Sequence, residues 1–235
     1  MKFVVRSFLA ELLSRLSQKA LEVSIPSWYH GTDKRLRPGL TFVYLHGFNS
    51  AFSTGGEKIA HLSKLAPVIG LNYDSFGNYG DIMDRLEFQV ENLPHHIDDL
   101  VFVGTSLGAF YASELGRVFD RPSIIINPCV TPYTMLGFAL HMPMKNFVTG
   151  EESVFTMQAK ASYLRREISN KNRYCHKPLL LVDLDDELLP ATKIFNTLDF
   201  PKAAFAGGCH RFSHMEEALD PIAHYINACD FDEIT

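Results

Sequence analysis

Short runs of continuous apolar residues recur along this chain, separated by segments with helical spacing. They are TFVYLH (41–46), PVIGLNY (67–73), DLVFVG (99–104), SIIIN (123–127), PLLLVDL (178–184) and the weaker KAAFAGG (202–208). A strand with one wet face alternates polar and apolar residues, so an unbroken apolar run fits a strand covered on both faces. Between the runs, a helical stretch starts near Gly56, and DIMDRLEFQVENL (81–93) sets Ile82, Leu86 and Val90 on one side. SLGAFYASELGRVF (106–119) is helix-like, and a last helix is expected over roughly 214–228. Repeated strand–helix alternation predicts the α/β class, with a mostly parallel central sheet and helices on both faces.

The rhythm breaks over residues 128–175, where Pro128, Pro132 and Pro143 interrupt an aromatic-rich segment. An insertion at this point of such a fold is a candidate cap over an active site. Its residues Tyr133, Met135, Phe138, Met142 and Phe147 fit either the lining of an apolar pocket or ordinary core. The chain of 235 residues divides into a domain over 39–235 and an N-terminal helical extension over 1–38. In that extension Phe8, Leu9, Leu12, Leu13, Leu16 and Leu21 follow helical spacing, with Arg6, Glu11, Arg15 and Lys19 between them. This is an amphipathic pattern suited to packing on the domain, not the uninterrupted apolar core of a secretory signal.

A net charge of −5 offers no basic excess for binding nucleic acid. No apolar run approaches the roughly 20 residues that span a bilayer, so stable membrane insertion is not expected. Cys129, Cys175, Cys209 and Cys229 are scattered without a C-x-x-C pair. Scattered thiols suit a reducing cytoplasm better than a disulfide framework or a zinc site. His95-His96 before Asp98-Asp99 reads as a solvated loop, because adjacent side chains do not converge on one ion.

Within VFVGTSLGAFYA (101–112), Ser106 stands between Gly104 and Gly108 in a G-x-S-x-G pattern, after a strand and before a helix. A tight strand-to-helix turn thrusts such a serine out of the backbone and needs small residues two positions to either side. The alternative is a plain helix N-cap. A serine hydroxyl attacks only when a base takes its proton, and the expected chain order is serine, acid, histidine. His210 in AGGCHRF (206–212) is the candidate base, on a glycine-flanked loop. His214 fits a surface or capping residue. For the acid, Asp183, Asp185 and Asp186 all lie in LLLVDLDDELLP. Asp186 is favoured because it opens the segment that turns through Pro190 into the next helix, whereas Asp183 still belongs to the strand. The oxyanion donors are expected to be the backbone N–H groups of Leu107, after the serine, and of Phe48, in YLHGFNS (44–50). His46 is read as a structural histidine.

The stretches YLHGFNS, VGTSLGAFYA, INPCVTPYTML, DDELL and GGCHRF, in this order, resemble the α/β-hydrolase superfamily and within it the small YqiA-like esterases. The resemblance covers about residues 41–230. Family members carry a glycine-aspartate pair where this chain has Asp185-Asp186, which aligns the acid with Asp186. Many superfamily relatives have glycine where this chain has Asp183. The resemblance implies an α/β-hydrolase fold and a cofactor-free hydrolase of carboxylic esters or thioesters, with short to medium acyl groups and no metal. It also implies that Asn127 and Pro128 support the site structurally. WYHGT (28–32) is similar to the opening motif of NAD-dependent ADP-ribosyltransferases, but the rest of the chain shows no sign of that fold.

Three functions are compatible with these residues. The first is hydrolysis of a small ester or thioester through an acyl-enzyme. The second keeps the same residues for acyl transfer or for thioester hydrolysis on an acyl carrier. The third is a hydrolase-fold binding protein, whose usual sign is a lost triad member; none is lost here.

Overall fold

In the computed structural model, which describes residues 35–229 and 231, the apolar runs become one six-stranded sheet. Its strands are β1 (Thr41–Leu45), β2 (Val68–Leu71), β3 (Leu100–Thr105), β4 (Ser123–Ile126), β7 (Leu179–Asp183) and β8 (Lys202–Phe205). They lie in the order β2-β1-β3-β4-β7-β8, and every pairing is parallel. The two remaining strands, β5 (Pro143–Lys145) and β6 (Glu152–Val154), form a separate antiparallel hairpin.

Strand residues alternate between two cores, which is why the runs need no polar positions. Phe42, Tyr44, Val101, Val103, Ile124, Ile126, Leu179 and Leu181 face one side. There they meet Ile59 and Leu62 of α1 (Glu57–Leu62) and Met215, Ala218, Ile222 and Ile226 of α7 (Met215–Ala228). Val43, Leu45, Phe102, Ile125, Leu180 and Val182 face the other side. That core receives Ile82, Leu86 and Val90 of α2 (Tyr79–Glu91), most of α3 (Leu107–Val118), and Ala191 and Ile194 of α6 (Ala191–Thr197). Each fully buried Leu, Ile or Phe contributes roughly 1.5–3 kcal/mol. This is the α/β-hydrolase fold, a parallel sheet covered on both faces.

The elements start and stop close to where the sequence places them, with two differences. The second apolar run is shorter than expected because Asn72 and Tyr73 leave the sheet, and the last ends at Phe205 so that Ala206 and both glycines belong to a loop. Between β4 and β7 the chain builds a short helix α4 (Pro132–Met135), a 3₁₀ turn (Leu136–Ala139), the hairpin, and α5 (Met157–Ser162). The amphipathic segment and the WYHGT motif at the N-terminus lie outside the described residues. Among the described residues, no helix is long and apolar enough to cross a membrane.

Three backbones meet without side chains between them. A Cβ on Gly104 of β3 would stand 2.1 Å from the Gly108 carbonyl oxygen, and one on Gly108 would stand 2.2 Å from that of Leu45 in β1. Such contacts leave no rotamer to relieve them, since both partners are main chain. Gly104→Ala should therefore cost about 3 kcal/mol of stability, read as a lowered midpoint in urea unfolding.

Candidate active site

Ser106 joins β3 to α3 with φ 58° and ψ −120°, a left-handed conformation that non-glycine residues seldom adopt. The turn is tied down from within the sheet. The Ser106 amide donates to Ile126 at 3.0 Å, and the Ser106 carbonyl accepts from Ala109 and Cys129. Although Ser106 occupies the N-cap position, its side chain makes no capping bond. Its Oγ lies instead 3.1 Å from Nε2 of His210.

His210 comes from the loop between β8 and α7, and its other ring nitrogen meets Asp186. Nδ1 lies 2.9 Å from Oδ2 and 3.1 Å from Oδ1 of that carboxylate. An ionised carboxylate only accepts, so Nδ1 carries the proton and Nε2 presents its lone pair to the serine. Asp186 sits in the turn after β7, where its Oδ1 also accepts from the amides of Leu188 (2.8 Å) and Leu189 (2.9 Å). Its side chain is fully shielded from solvent, against 18% exposure for that of His210.

The other two aspartates are disposed differently. Asp185 is exposed, and its amide donates to the Gly207 carbonyl at 3.1 Å. Asp183, the last residue of β7, is wholly buried and bonded to His214, so His214 is more than the surface or capping residue expected. The loop bearing His210 is also held at its backbone. Asn127 Nδ2 donates to the carbonyls of Cys209 (3.0 Å) and His210 (3.2 Å), while its Oδ1 accepts from the Asp183 amide (2.9 Å). The His210 amide donates to Glu187 Oε2 at 2.9 Å, and that bond is the main cause holding the Glu187 carboxyl below its ordinary range. Glu187 was not singled out by the sequence, where it is one more acidic residue in DDELLP.

Gly47 passes beside the serine: a Cβ there would lie 3.4 Å from Ser106 Cβ and 3.9 Å from its Oγ. Phe48 follows Gly47 in this loop, and Leu107 follows Ser106. Leu107 opens α3, where an amide has no acceptor within the helix. His46 is buried, stacks on Tyr73 at 4.3 Å between ring centres, and bonds the Gly47 carbonyl through Nδ1 at 2.9 Å. Burial lowers its pKa, which keeps the ring neutral. The Cys129 thiol behind the serine is pushed well up by burial, so it stays protonated and unreactive.

Residues 128–175 pack against the Phe48 loop. Phe155 and Phe138 meet the Phe48 ring edge-on at 5.6 and 6.4 Å, and Asn49 Nδ2 donates to the Lys145 carbonyl. Of the five side chains expected to line a pocket or join the core, only Met135 packs against the core. Tyr133, Phe138, Met142 and Phe147, spread over the short helix α4, the 3₁₀ turn, the link after it and the hairpin loop, are exposed. A cleft of about 570 Å³ opens beyond this loop, lined by residues such as Phe52, Asn72, Arg85 and Val148, but not by Ser106, Asp186 or His210. His95 and His96 are exposed, and His96 pairs with Asp98 at 3.0 Å.

Comparison with known proteins gives a family. The model of the Uncharacterised protein family UPF0227 matches residues 41–227. The chain belongs to this family. It is 25% identical over 159 residues to a UPF0227 protein of Pectobacterium atrosepticum, covering 66% of this chain and 81% of that protein. A UPF0227 protein of Pectobacterium carotovorum is 30% identical over 104 residues, which are 43% of this chain and 57% of the relative's length. Among solved structures, Est1E from Butyrivibrio proteoclasticus superposes with a TM-score of 0.57 at 13% identity, over 83% of this chain and 89% of that one. That likeness establishes a shared fold.

Asn127 joins three backbone groups at the site. Asn127→Ala strands the buried Asp183 amide and removes a donor from the His210 carbonyl, while the Cys209 carbonyl keeps the Phe212 amide at 2.8 Å; the cost is about 1–3 kcal/mol. Differential scanning calorimetry should show the corresponding fall in Tm, and far-UV circular dichroism below that Tm should match wild type.

Proposed function

We propose that this UPF0227 protein is a serine hydrolase of carboxylic esters or thioesters, acting through an acyl-enzyme. The observation that carries the reading is the hydrogen-bonded chain from Ser106 Oγ to His210 Nε2 (3.1 Å) and from His210 Nδ1 to Asp186 Oδ2 (2.9 Å).

In this reading His210 takes the proton of Ser106 as Oγ attacks the substrate carbonyl carbon. The carbonyl π electrons move onto oxygen, and the tetrahedral oxyanion is held by the Phe48 and Leu107 N–H groups. The start of α3 adds favourable electrostatic potential there. Asp186 stabilises the imidazolium and keeps its orientation. His210 then protonates the departing alcohol or thiol as the C–O or C–S bond breaks, leaving an acyl ester on Ser106. A water molecule, deprotonated by His210, attacks that ester; its collapse releases the acid and restores the serine hydroxyl. No step calls for a cofactor.

The exposed apolar side chains beside the site give the reading its substrate side. Phe138 packs on Phe48, and Leu188, whose amide bonds Asp186, is 64% exposed. Both suit an apolar acyl group of short to medium length.

A fluorophosphonate probe should label the folded protein at Ser106, and Ser106→Ala should abolish both labelling and ester hydrolysis; an unlabelled wild type would sink the proposal. Asp186→Asn should lower kcat by about 10⁴, whereas Asp185→Asn should keep most of it. A crippled Asp185→Asn with an active Asp186→Asn would move the acid by one residue.

A further inference from the structure

A second aspartate–histidine pair lies beneath the loop that carries His210. Asp183 is buried completely at the end of β7, with both carboxylate oxygens engaged. Oδ1 accepts from Nδ1 of His214 at 2.7 Å; Oδ2 accepts from the amides of Cys209 at 3.0 Å and Ser213 at 2.7 Å. A buried carboxylate is tolerated when its lone pairs are met in this way. The loop is shaped to sit on it. Gly208 has φ 79°, and a Cβ there would stand 2.0 Å from Asp183 Oδ2. The His214 side chain, 23% exposed, closes the arrangement from outside and stacks on Phe205 at 5.4 Å with an interplanar angle of 10°.

We infer that Asp183 and His214 are positioning residues for the reaction proposed above, setting where His210 Nε2 stands relative to Ser106 Oγ. The inference rests on that reading of His210 as the base. Cys209 precedes His210 and Ser213 follows it by three residues, so the two amides held by Asp183 bracket the base on one continuous loop. Neither Asp183 nor His214 bonds a triad side chain, so their effect passes through the backbone. With the His214 donor removed, the carboxylate keeps only its two loop amides, and the loop can draw toward it or water can enter. Catalysis is sensitive to such shifts, since misplacement by about 1 Å can cost on the order of a hundredfold in rate.

Two variants at His214 separate this role from simple ring packing. His214→Phe keeps a ring against Phe205 but cannot donate to Asp183. His214→Asn loses the ring but places an amide N–H donor near the position of Nδ1. Both are compared with wild type for kcat, KM, fluorophosphonate labelling rate and Tm, at a temperature below every Tm. The expected result is a kcat and labelling rate at least tenfold lower in His214→Phe with KM within twofold, and near-complete rescue in His214→Asn. Wild-type kcat in the Phe variant, or losses in both variants that follow Tm alone, would overturn the inference. If His214→Phe does not fold, Asp183→Asn takes its place. With one acceptor oxygen for three donors it should also lose tenfold or more in kcat, and an unchanged kcat would overturn the inference. A wild type that is not labelled removes the triad reading itself and this inference with it. A labelled wild type with indifferent His214 variants removes only the inference.

Discussion

The close approach of three backbones around Gly104 and Gly108 is the constraint on which the site depends. Because β3, the first turn of α3 and the end of β1 meet main chain to main chain, the strand must turn into its helix within one residue. That residue is Ser106, and the sharpness of the turn appears as its positive φ. Strained backbone persists only where the surroundings over-determine it. Here the surroundings are the amide bond to Ile126, the carbonyl bonds from Ala109 and Cys129, and the glycine contacts on either side. The same crowding brings Gly47 beside the serine.

The acidic segment after β7 shows how a short sequence divides three similar residues among three environments. Asp183 ends the strand, in register with Phe205 of β8, and is carried inward under the neighbouring loop. Asp185 falls on the solvent side of the turn. Asp186 caps the amides of Leu188 and Leu189, and that local turn holds its carboxylate where it meets His210. Their order along the chain shows which one ends the strand and which opens the turn, but not what each carboxylate bonds. The division follows from where β7 stops and how the turn closes on itself.

Much of this architecture was legible in the sequence, for identifiable reasons. Short continuous apolar runs alternating with helical segments fit strands covered on both faces, and all six became strands, the last ending three residues early at Phe205. The G-x-S-x-G pattern marked the turn at Ser106 because a sharp strand-to-helix turn leaves room only for glycine at those positions. His210 and Asp186 were legible from chain order and turn residues, and the structure brings their side chains together with Ser106. The bonding of Asp183 to His214 was not legible, since they are 31 residues apart and no local periodicity relates them. Glu187 was hidden in the same way, because its partner is a backbone amide on a distant loop. The exposure of Tyr133, Phe138, Met142 and Phe147 was equally out of reach, for hydrophobicity alone does not reveal which apolar side chains irregular segments turn outward.

These features share one edge of the sheet. Ser106, Asn127 and Asp183 stand at or just past the C-terminal ends of β3, β4 and β7, and the Gly47–Phe48 and His210 loops leave β1 and β8 at that same edge. In a parallel sheet the strand interiors are fully hydrogen-bonded and packed on both faces, so only these ends have polar groups free to converge. Asn127 illustrates the consequence. Its φ of 40° ends β4 abruptly, and its amide spans from the Asp183 backbone to the Cys209 and His210 carbonyls. A polar lattice thus replaces the sheet where the sheet stops. It holds the His210 loop firmly enough for one imidazole to bridge a hydroxyl and a carboxylate that come from different strands.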